Sequence, residues 1–191
     1  MSRMCVAIVA LVGLMALTSM SYADDTFHCP KPGTIVTYGT AGSVAFTGQT
    51  GLTCEGRSGY RRVLGMIAPG FELDDARAQK LLPLKVGNEI EYTMKMGSSH
   101  VTGEGTDSFS MFYMRINLKV ARQEKLVTAA GTFDTLVVEQ HMLALGHGQG
   151  AWLYTFWFVP ELGLSVKETY ETRAGSGPAR VLEASSVRVP S

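Results

Sequence analysis

Residues 112–120 read Phe-Tyr-Met-Arg-Ile-Asn-Leu-Lys-Val, in which Phe, Met, Ile, Leu and Val alternate with more polar side chains. Successive side chains of a β-strand point to opposite faces of the sheet, so this period of two residues predicts a strand with one apolar face. Residues 89–96 repeat the pattern as Glu-Ile-Glu-Tyr-Thr-Met-Lys-Met. Two such strands predict an antiparallel sheet with one face on the core and the other in water.

Shorter apolar runs on both sides extend this pattern along the chain. Turn residues at 130–131, 146–150 and 175–178 separate them, and short connections between consecutive strands favour an up-and-down meander. We therefore predict a mainly β protein, whose antiparallel meander forms a curled sheet, a half-barrel or a barrel. The predicted strands cover residues 34–38, 43–47, 60–67, 86–96, 112–120, 124–128, 133–145, 151–158, 164–172 and 181–189.

One short helix is predicted between the strands, starting at Asp74 and ending before Pro83. The Asp74 carboxylate can accept a hydrogen bond from a backbone N–H of the first helical turn, as N-cap residues do. Ala76, Ala78 and Gln79 favour the helix, and a proline commonly marks its end.

The N-terminus has the three parts of a secretory signal peptide. Arg3 precedes an apolar run over residues 6–17, and Ser21-Tyr22-Ala23 supplies small residues at a cleavage site. The run is well short of the roughly 20 residues that span a bilayer, so an uncleaved anchor is the weaker interpretation. We predict a signal peptide over residues 1–23 and a single β-rich domain over residues 24–191, located in the periplasm or secreted.

The charge of the chain argues against several classes of partner. Lys and Arg number 17, as do Asp and Glu, and no run of like charge occurs. Proteins that bind nucleic acid or anionic membranes usually carry a basic patch. We therefore expect no nucleic-acid partner, and we predict no transmembrane segment after residue 23.

Of the three cysteines, Cys5 lies in the predicted signal peptide, while Cys29 and Cys54 would enter an oxidising compartment. A pair of cysteines in an exported protein usually forms a disulfide. We predict that Cys29 and Cys54 form a disulfide, which staples the N-terminal segment of the domain. Their spacing does not match the C-x-x-C pattern of redox sites.

The strand at residues 151–158 is unusually aromatic. Trp152, Tyr154 and Phe156 occupy one face and Trp157 the other, so both faces are expected to be shielded from water. Such a strand could lie at the centre of the fold, or its aromatics could line a groove, as they do in many binding sites. On the second interpretation, Trp152, Tyr154, Phe156 and Trp157 are the predicted ligand-binding residues.

Catalytic and metal-binding patterns are weak. Glu139 and His141 share a strand face, so the carboxylate could orient the imidazole for acid–base chemistry. His147 follows in a glycine-rich turn, but no H-x-x-x-H or C-x-x-C spacing accompanies it. We find no nucleophile motif and no nucleotide-binding pattern. We therefore predict no catalytic residues, no metal and no cofactor.

Three short blocks carry a family resemblance. Residues 130–135 read Ala-Gly-Thr-Phe-Asp-Thr, and residues 157–163 read Trp-Phe-Val-Pro-Glu-Leu-Gly, followed by Val166-Lys167. With Leu84-Lys85-Val86-Gly87, these blocks resemble uncharacterised exported bacterial β-proteins that share A-G-T-F and W-[YF]-x-P-E-x-G motifs. The resemblance covers roughly residues 84–173. It implies an antiparallel sheet and no established activity.

Together these features favour a non-enzymatic, exported binding or carrier module for an apolar or amphipathic molecule of the cell envelope. A protein–protein interaction or assembly factor of the envelope is the first alternative. A hydrolase that uses Glu139 and His141 is the second.

Overall fold

The computed structural model describes residues 27–68, 70–71, 73–101, 107–146, 150–172 and 179–191. The predicted signal peptide over residues 1–23 lies outside these ranges. Within them the chain is mainly β and antiparallel, with one short α-helix, as predicted. Its strands form two sheets.

The elements follow one another in a simple order, with the helix between the fourth and fifth strands. They are β1 (Ile35–Thr37), β2 (Ser43–Thr50), β3 (Thr53–Gly56), β4 (Arg61–Val63), α1 (Asp75–Ala78), β5 (Glu89–Val101), β6 (Asp107–Thr128), β7 (Gly131–Leu145), β8 (Ala151–Val159), β9 (Leu164–Thr172), β10 (Arg180–Glu183) and β11 (Ser186–Arg188).

The larger sheet is a six-stranded meander in the order β10-β9-β8-β7-β6-β5. Each of its strands pairs antiparallel with the next one along the chain, which confirms the predicted meander. Its edge strands, β5 and β10, do not pair with each other in the described part of the chain. The sheet is therefore open, and the closed barrel among the predicted alternatives does not form.

The smaller sheet has the order β11-β1-β2-β3-β4 and is built mostly from the N-terminal segment. The predicted strand over residues 181–189 is split in two: β10 stays in the meander, while β11 pairs with β1. The prediction of one meander is incomplete, because the N-terminal strands β1 to β4 form a second sheet, which β11 joins at its edge.

The predicted strands over residues 112–120 and 124–128 are one strand, the 22-residue β6. Its register with β7 shifts between Val120 and Arg122. The extra residue at this bulge, Ala121, interrupts the period of two residues, since a bulge places two residues opposite one. The interruption made one bent strand resemble two.

The helix α1 is capped as predicted. The Asp74 side chain accepts a hydrogen bond from the Arg77 backbone N–H at 2.7 Å. A short 3-10 turn over Gln79–Leu81 continues the helix and ends before Pro83.

The two layers enclose a core on one face of the larger sheet, which we call the inner face. Its side chains include Leu118, Val138, Phe156 and Phe158, all at most 3% exposed. They pack against residues that follow β4 and belong to the helical segment. The covering side chains are Leu64, Met66, Ile67, Leu73, Ala78 and Leu81.

The predicted disulfide between Cys29 and Cys54 is present, with the two Cα atoms 5.3 Å apart. Cys54 is completely buried and packs with Val159, Leu164 and Val166 of the larger sheet. The disulfide therefore joins the start of the described chain to β3 at the contact between the layers.

Two glycines allow three backbone segments to meet beside this disulfide. A Cβ atom on Gly163 would lie 2.1 Å from the carbonyl oxygen of His28, and one on Gly65 would lie 2.1 Å from the carbonyl oxygen of Gly163. Both glycines have a φ of +67°, which side chains with a Cβ disfavour. This gives the Pro160-Glu161-Leu162-Gly163 block a structural role.

Candidate functional site

One part of the inner face carries a group of side chains that we call the methionine–aromatic cluster. Within the described residues, its hydrophobic members come from β5 to β8, together with Phe71 from the segment before α1. Methionine adapts to irregular shapes and contacts aromatic rings favourably, so such clusters suit apolar ligands as well as cores. Met94, Met114, Ile116 and Met142 are buried, and Phe71, Tyr92, Met96, Phe112, Trp152 and Tyr154 are partly buried around them.

Tyr154 lies at the centre of the aromatic side of this cluster. Its ring centroid is 4.7 Å from that of Tyr170, 5.8 Å from that of Phe71 and 6.1 Å from that of Phe156. Trp152 lies one row further along β8, directly opposite Met142 of β7. These neighbours place three of the predicted ligand-binding residues on one continuous surface.

Gln140 is a polar residue in the middle of this apolar face. It lies between Leu118 of β6 and Tyr154 of β8 and is completely buried. Neither its amide nitrogen nor its amide oxygen has a hydrogen-bond partner in the structure. An unsatisfied buried polar group costs about 1–3 kcal/mol, so the fold retains a group suited to bind a polar atom here.

A second set of polar side chains lies between the two sheets. Glu168 projects from the inner face, opposite Phe156 of β8. Arg62 projects from the same face of the smaller sheet as the buried Cys54, its direct partner. Burial raises the pKa of the Glu168 carboxyl, and the positive charge of Arg62 opposes that rise. The two charges therefore interact across the interior.

Two phenols border this charged pair. Burial raises the pKa of Tyr60 to about 12, and it raises the pKa of Tyr38 well above its usual value. The Tyr38 hydroxyl donates a hydrogen bond to the backbone carbonyl of Ser165 at 2.9 Å. Both phenols stay protonated at neutral pH and act there as hydrogen-bonding groups.

The variant Glu168→Gln is expected to be more stable than the wild type at pH 7. Because the pKa of Glu168 is raised in the folded protein, its contribution to stability is complete below the unfolded-state pKa and is lost as pH rises through the folded-state pKa. The gain in free energy of unfolding of Glu168→Gln over the wild type should therefore shrink towards zero at pH 4. Urea unfolding at both pH values measures it, with Glu171→Gln, an exposed residue of the same strand, as control. An equal gain for both variants would contradict the prediction.

A cleft of about 520 Å³ opens beside Arg62, at the edge of the smaller sheet. Its lining combines three arginines with one acidic residue and several apolar or small residues. The lining residues are Thr53, Arg61, Arg62, Val63, Ala68, Gly70, Leu73, Asp74 and Arg77. We call it the arginine cleft. Nothing in the sequence pattern indicated it, because Arg61 and Arg62 adjoin Arg77 only through the fold.

The fourth predicted ligand-binding residue, Trp157, lies on the opposite face of the larger sheet. Its indole N–H donates a hydrogen bond to the carboxylate of Glu124 at 2.5 Å, and the amino group of Lys167 lies 5.4 Å from its ring centroid. The indole and Arg122 lower the pKa of Glu124 by hydrogen bonding. Trp157 is thus separated by the sheet from Trp152, Tyr154 and Phe156.

The predicted Glu139–His141 pair forms on that same outer face. The two side chains are 3.1 Å apart, and Arg122 contacts the second carboxylate oxygen of Glu139 at 3.3 Å. Among the described residues, no hydroxyl or thiol is hydrogen-bonded to either side chain. The arrangement is a partly exposed network around the Glu139 carboxylate, and no nucleophile belongs to it within the described ranges.

No group of three or more His, Cys, Asp or Glu side chains is arranged to hold a metal ion in the described part of the chain. His147, the remaining residue of the weak metal pattern, lies outside the described ranges. No helix among the described residues has the length and apolar character needed to cross a bilayer.

Sequence reasoning missed Arg62, Gln140 and Glu168, although two of them left a signal. Gln140 interrupts the apolar row of β7 that runs from Val138 to Met142. Glu168 occupies a position of β9 that turns inward. A lone polar residue in an apolar row of a strand indicates an interior polar contact. Arg62 left no such signal, because β4 is too short to show a period.

Comparisons with known proteins place few constraints on this site. No family model matches the chain, and no curated protein matches it. Among solved structures, it is similar to a Bacteroides fragilis protein described as a presumed exported protein with a YmcC-like fold. The identity is 11% and the TM-score 0.39, over 86% of this chain and 100% of that one. The family resemblance of the sequence stays a prediction.

Proposed function

We propose that this protein is an exported, non-enzymatic binding or carrier module for an amphipathic molecule of the cell envelope. The observation that carries this proposal is the methionine–aromatic cluster, where Trp152 and Tyr154 remain partly exposed beside buried methionines. Partly exposed aromatic rings over a deformable apolar base can accept an apolar chain of variable shape.

The buried amide of Gln140 adds support. It adjoins Tyr154 in the sheet, and a ligand that presents a hydroxyl, an amide or a carboxyl group could satisfy both its nitrogen and its oxygen. The ligand is therefore expected to be amphipathic rather than a pure hydrocarbon. The predicted export of the chain through its signal peptide places such a ligand in the periplasm or outside the cell.

The first test is whether the oxidised protein over residues 24–191 retains a small molecule. We would purify it from a periplasm and record native mass spectra before and after denaturation. A molecule released on denaturation would support the proposal and identify the chemical class of the ligand. A bare protein that also fails to bind Nile red, an uncharged apolar dye, would overturn it.

The variants Trp152→Ala and Tyr154→Ala are expected to weaken Nile red binding about tenfold or more each. Truncating a buried aromatic contact removes roughly 1.5–3 kcal/mol of apolar burial, and 1.4 kcal/mol corresponds to a factor of ten. Dye fluorescence titrations measure the change. Tyr113→Ala is the matched control, because Tyr113 is 49% exposed and lies on the outer face. Equal losses in all three variants would indicate non-specific dye binding.

The variant Trp157→Phe tests which face of β8 binds the ligand. If the ligand lies on the inner face, this variant should bind the dye like the wild type. A loss as large as that of Trp152→Ala would move the ligand to the outer face.

An assembly role is supported by a different observation. Met111, Tyr113 and Leu145 are 57%, 49% and 39% exposed, and Tyr113 pairs directly with Leu145 across β6 and β7. Exposed apolar patches of this kind mark protein contacts. Native mass spectra at rising protein concentration test this role, since a dimer that Tyr113→Ala dissociates would favour it over a carrier.

A further inference from the structure

We propose that the arginine cleft binds the anionic head of the amphipathic ligand, a carboxylate or a phosphate group. The inference rests on the proposed function and adds a ligand class to it. The ligand would then be an amphipathic anion, with its head in the cleft and its apolar part on the methionine–aromatic cluster.

The charge of the cleft is the first support. Among the described residues, its lining contains three arginines, Arg61, Arg62 and Arg77, and one acidic residue, Asp74. Asp74 is already engaged, because it caps α1 at the Arg77 N–H and lies 3.9 Å from the Arg77 guanidinium. Arg61 and Arg62 also line the cleft. Neither forms an ion pair among the described residues, although the charge of Glu168 interacts with Arg62.

The hydrogen bonding of Arg62 is the second support. Its Nε is buried and has no acceptor, while its Nη1 donates to the backbone carbonyl of Arg61 at 3.3 Å. Its guanidinium lies 4.9 Å from the ring centroid of Tyr60, which holds it in place. A guanidinium presents its N–H groups in a planar fork that matches the oxygens of a carboxylate or phosphate. An anionic head would supply the missing acceptor.

The connection between the cleft and the apolar cluster is the third support. The Arg77 guanidinium lies 5.1 Å from the ring centroid of Tyr92, and the Tyr92 hydroxyl donates to the carbonyl of Phe71 at 2.9 Å. Tyr92 and Phe71 both belong to the methionine–aromatic cluster. The cationic cleft and the apolar surface therefore share a wall, as a ligand with a charged head and an apolar tail requires.

Glu168 should affect anion binding in the opposite direction to the arginines of the cleft. Its carboxylate is the acidic group whose charge interacts with Arg62, and it competes with an anionic head for the field of that guanidinium. Neutralising Glu168 should strengthen anion binding, whereas neutralising an arginine of the cleft should weaken it.

The test compares three probes on the oxidised protein over residues 24–191: decanoate, decanol and inorganic phosphate. Isothermal titration calorimetry should show decanoate binding about tenfold more tightly than decanol, as one charge-assisted hydrogen bond would provide. Arg61→Gln and Arg62→Gln should remove that preference, so that decanoate and decanol bind with similar affinity. Glu168→Gln should increase it.

The control is Arg188→Gln, which removes the same charge from an exposed residue of β11, at the edge of the smaller sheet opposite β4. It should keep the wild-type preference. If Arg62→Gln does not fold, the exposed Arg61 still decides the question.

Each other outcome has a definite meaning. Equal affinity for decanol and decanoate would overturn the anionic head and leave the proposed carrier function standing. Binding of neither would overturn both. Phosphate alone binding as tightly as decanoate would assign the cleft to a free anion and overturn its role as the head site of an amphipathic ligand.

Discussion

Replacing Gly163 by alanine is expected to destabilise the protein by about 4 kcal/mol or more, because two separate costs add at this position. The backbone φ of +67° costs a residue with a Cβ roughly 1–2 kcal/mol. The new methyl group would also lie 2.1 Å from the carbonyl oxygen of His28. The backbone there cannot move away easily, since the next residue, Cys29, is bonded to the buried Cys54.

Urea unfolding of Gly163→Ala measures the total cost, and Gly59→Ala separates its two parts. Gly59 has a similar φ of +75°, but no atom of the described chain lies within 4 Å of the position its Cβ would take. Gly59→Ala should therefore lose only the stability that the positive φ costs a residue with a Cβ. If both variants lost the same free energy of unfolding, the close approach of the backbones at Gly163 would not contribute to stability.

The second large effect is expected from the disulfide. Replacing Cys29 and Cys54 together by serine should lower the free energy of unfolding by about 3 kcal/mol, as the chain-entropy model gives for a loop of this length. The loop spans 25 residues. For a domain of this size the melting temperature would fall by about 6–12 °C.

Thermal unfolding of the double variant, of the oxidised wild type and of the reduced wild type measures this effect. The reduced wild type and the double variant should agree. A reduced protein as stable as the oxidised one would mean that packing alone holds the N-terminal segment on the larger sheet.

The sequence was sufficient to predict the larger sheet because its strands are long and half-buried. Over residues 89–96 of β5 and 114–120 of β6, each inward residue is apolar or aromatic and each outward one is polar. The period of two residues could therefore be read directly. The prediction failed at Ala121, where a bulge shifts the alternation of inward and outward side chains by one residue. It also missed β3, a four-residue strand in a glycine- and threonine-rich segment with no period to detect.

The candidate site was only partly predictable for a related physical reason. Trp152, Tyr154 and Phe156 stand out as aromatic residues on one face of one strand, and a single strand suffices to identify them. The arginine cleft depends on contacts between β4 and α1, which lie in different parts of the fold. The electrostatic interaction of Arg62 with Glu168 depends on how the two sheets pack. A period along one strand contains no information about such contacts.

The pairing of β1 with β11 has a consequence for the order of folding. The hairpins of the larger sheet join neighbouring strands, whereas Ile35 pairs with Arg188 across most of the chain. Pairings between distant residues form slowly, because the intervening chain must first be brought together. The larger sheet can therefore form hairpin by hairpin, while the smaller sheet gains its edge strand last. In the exported protein that we propose, this order would leave the N-terminal segment accessible to oxidation before the final strand pairs with it.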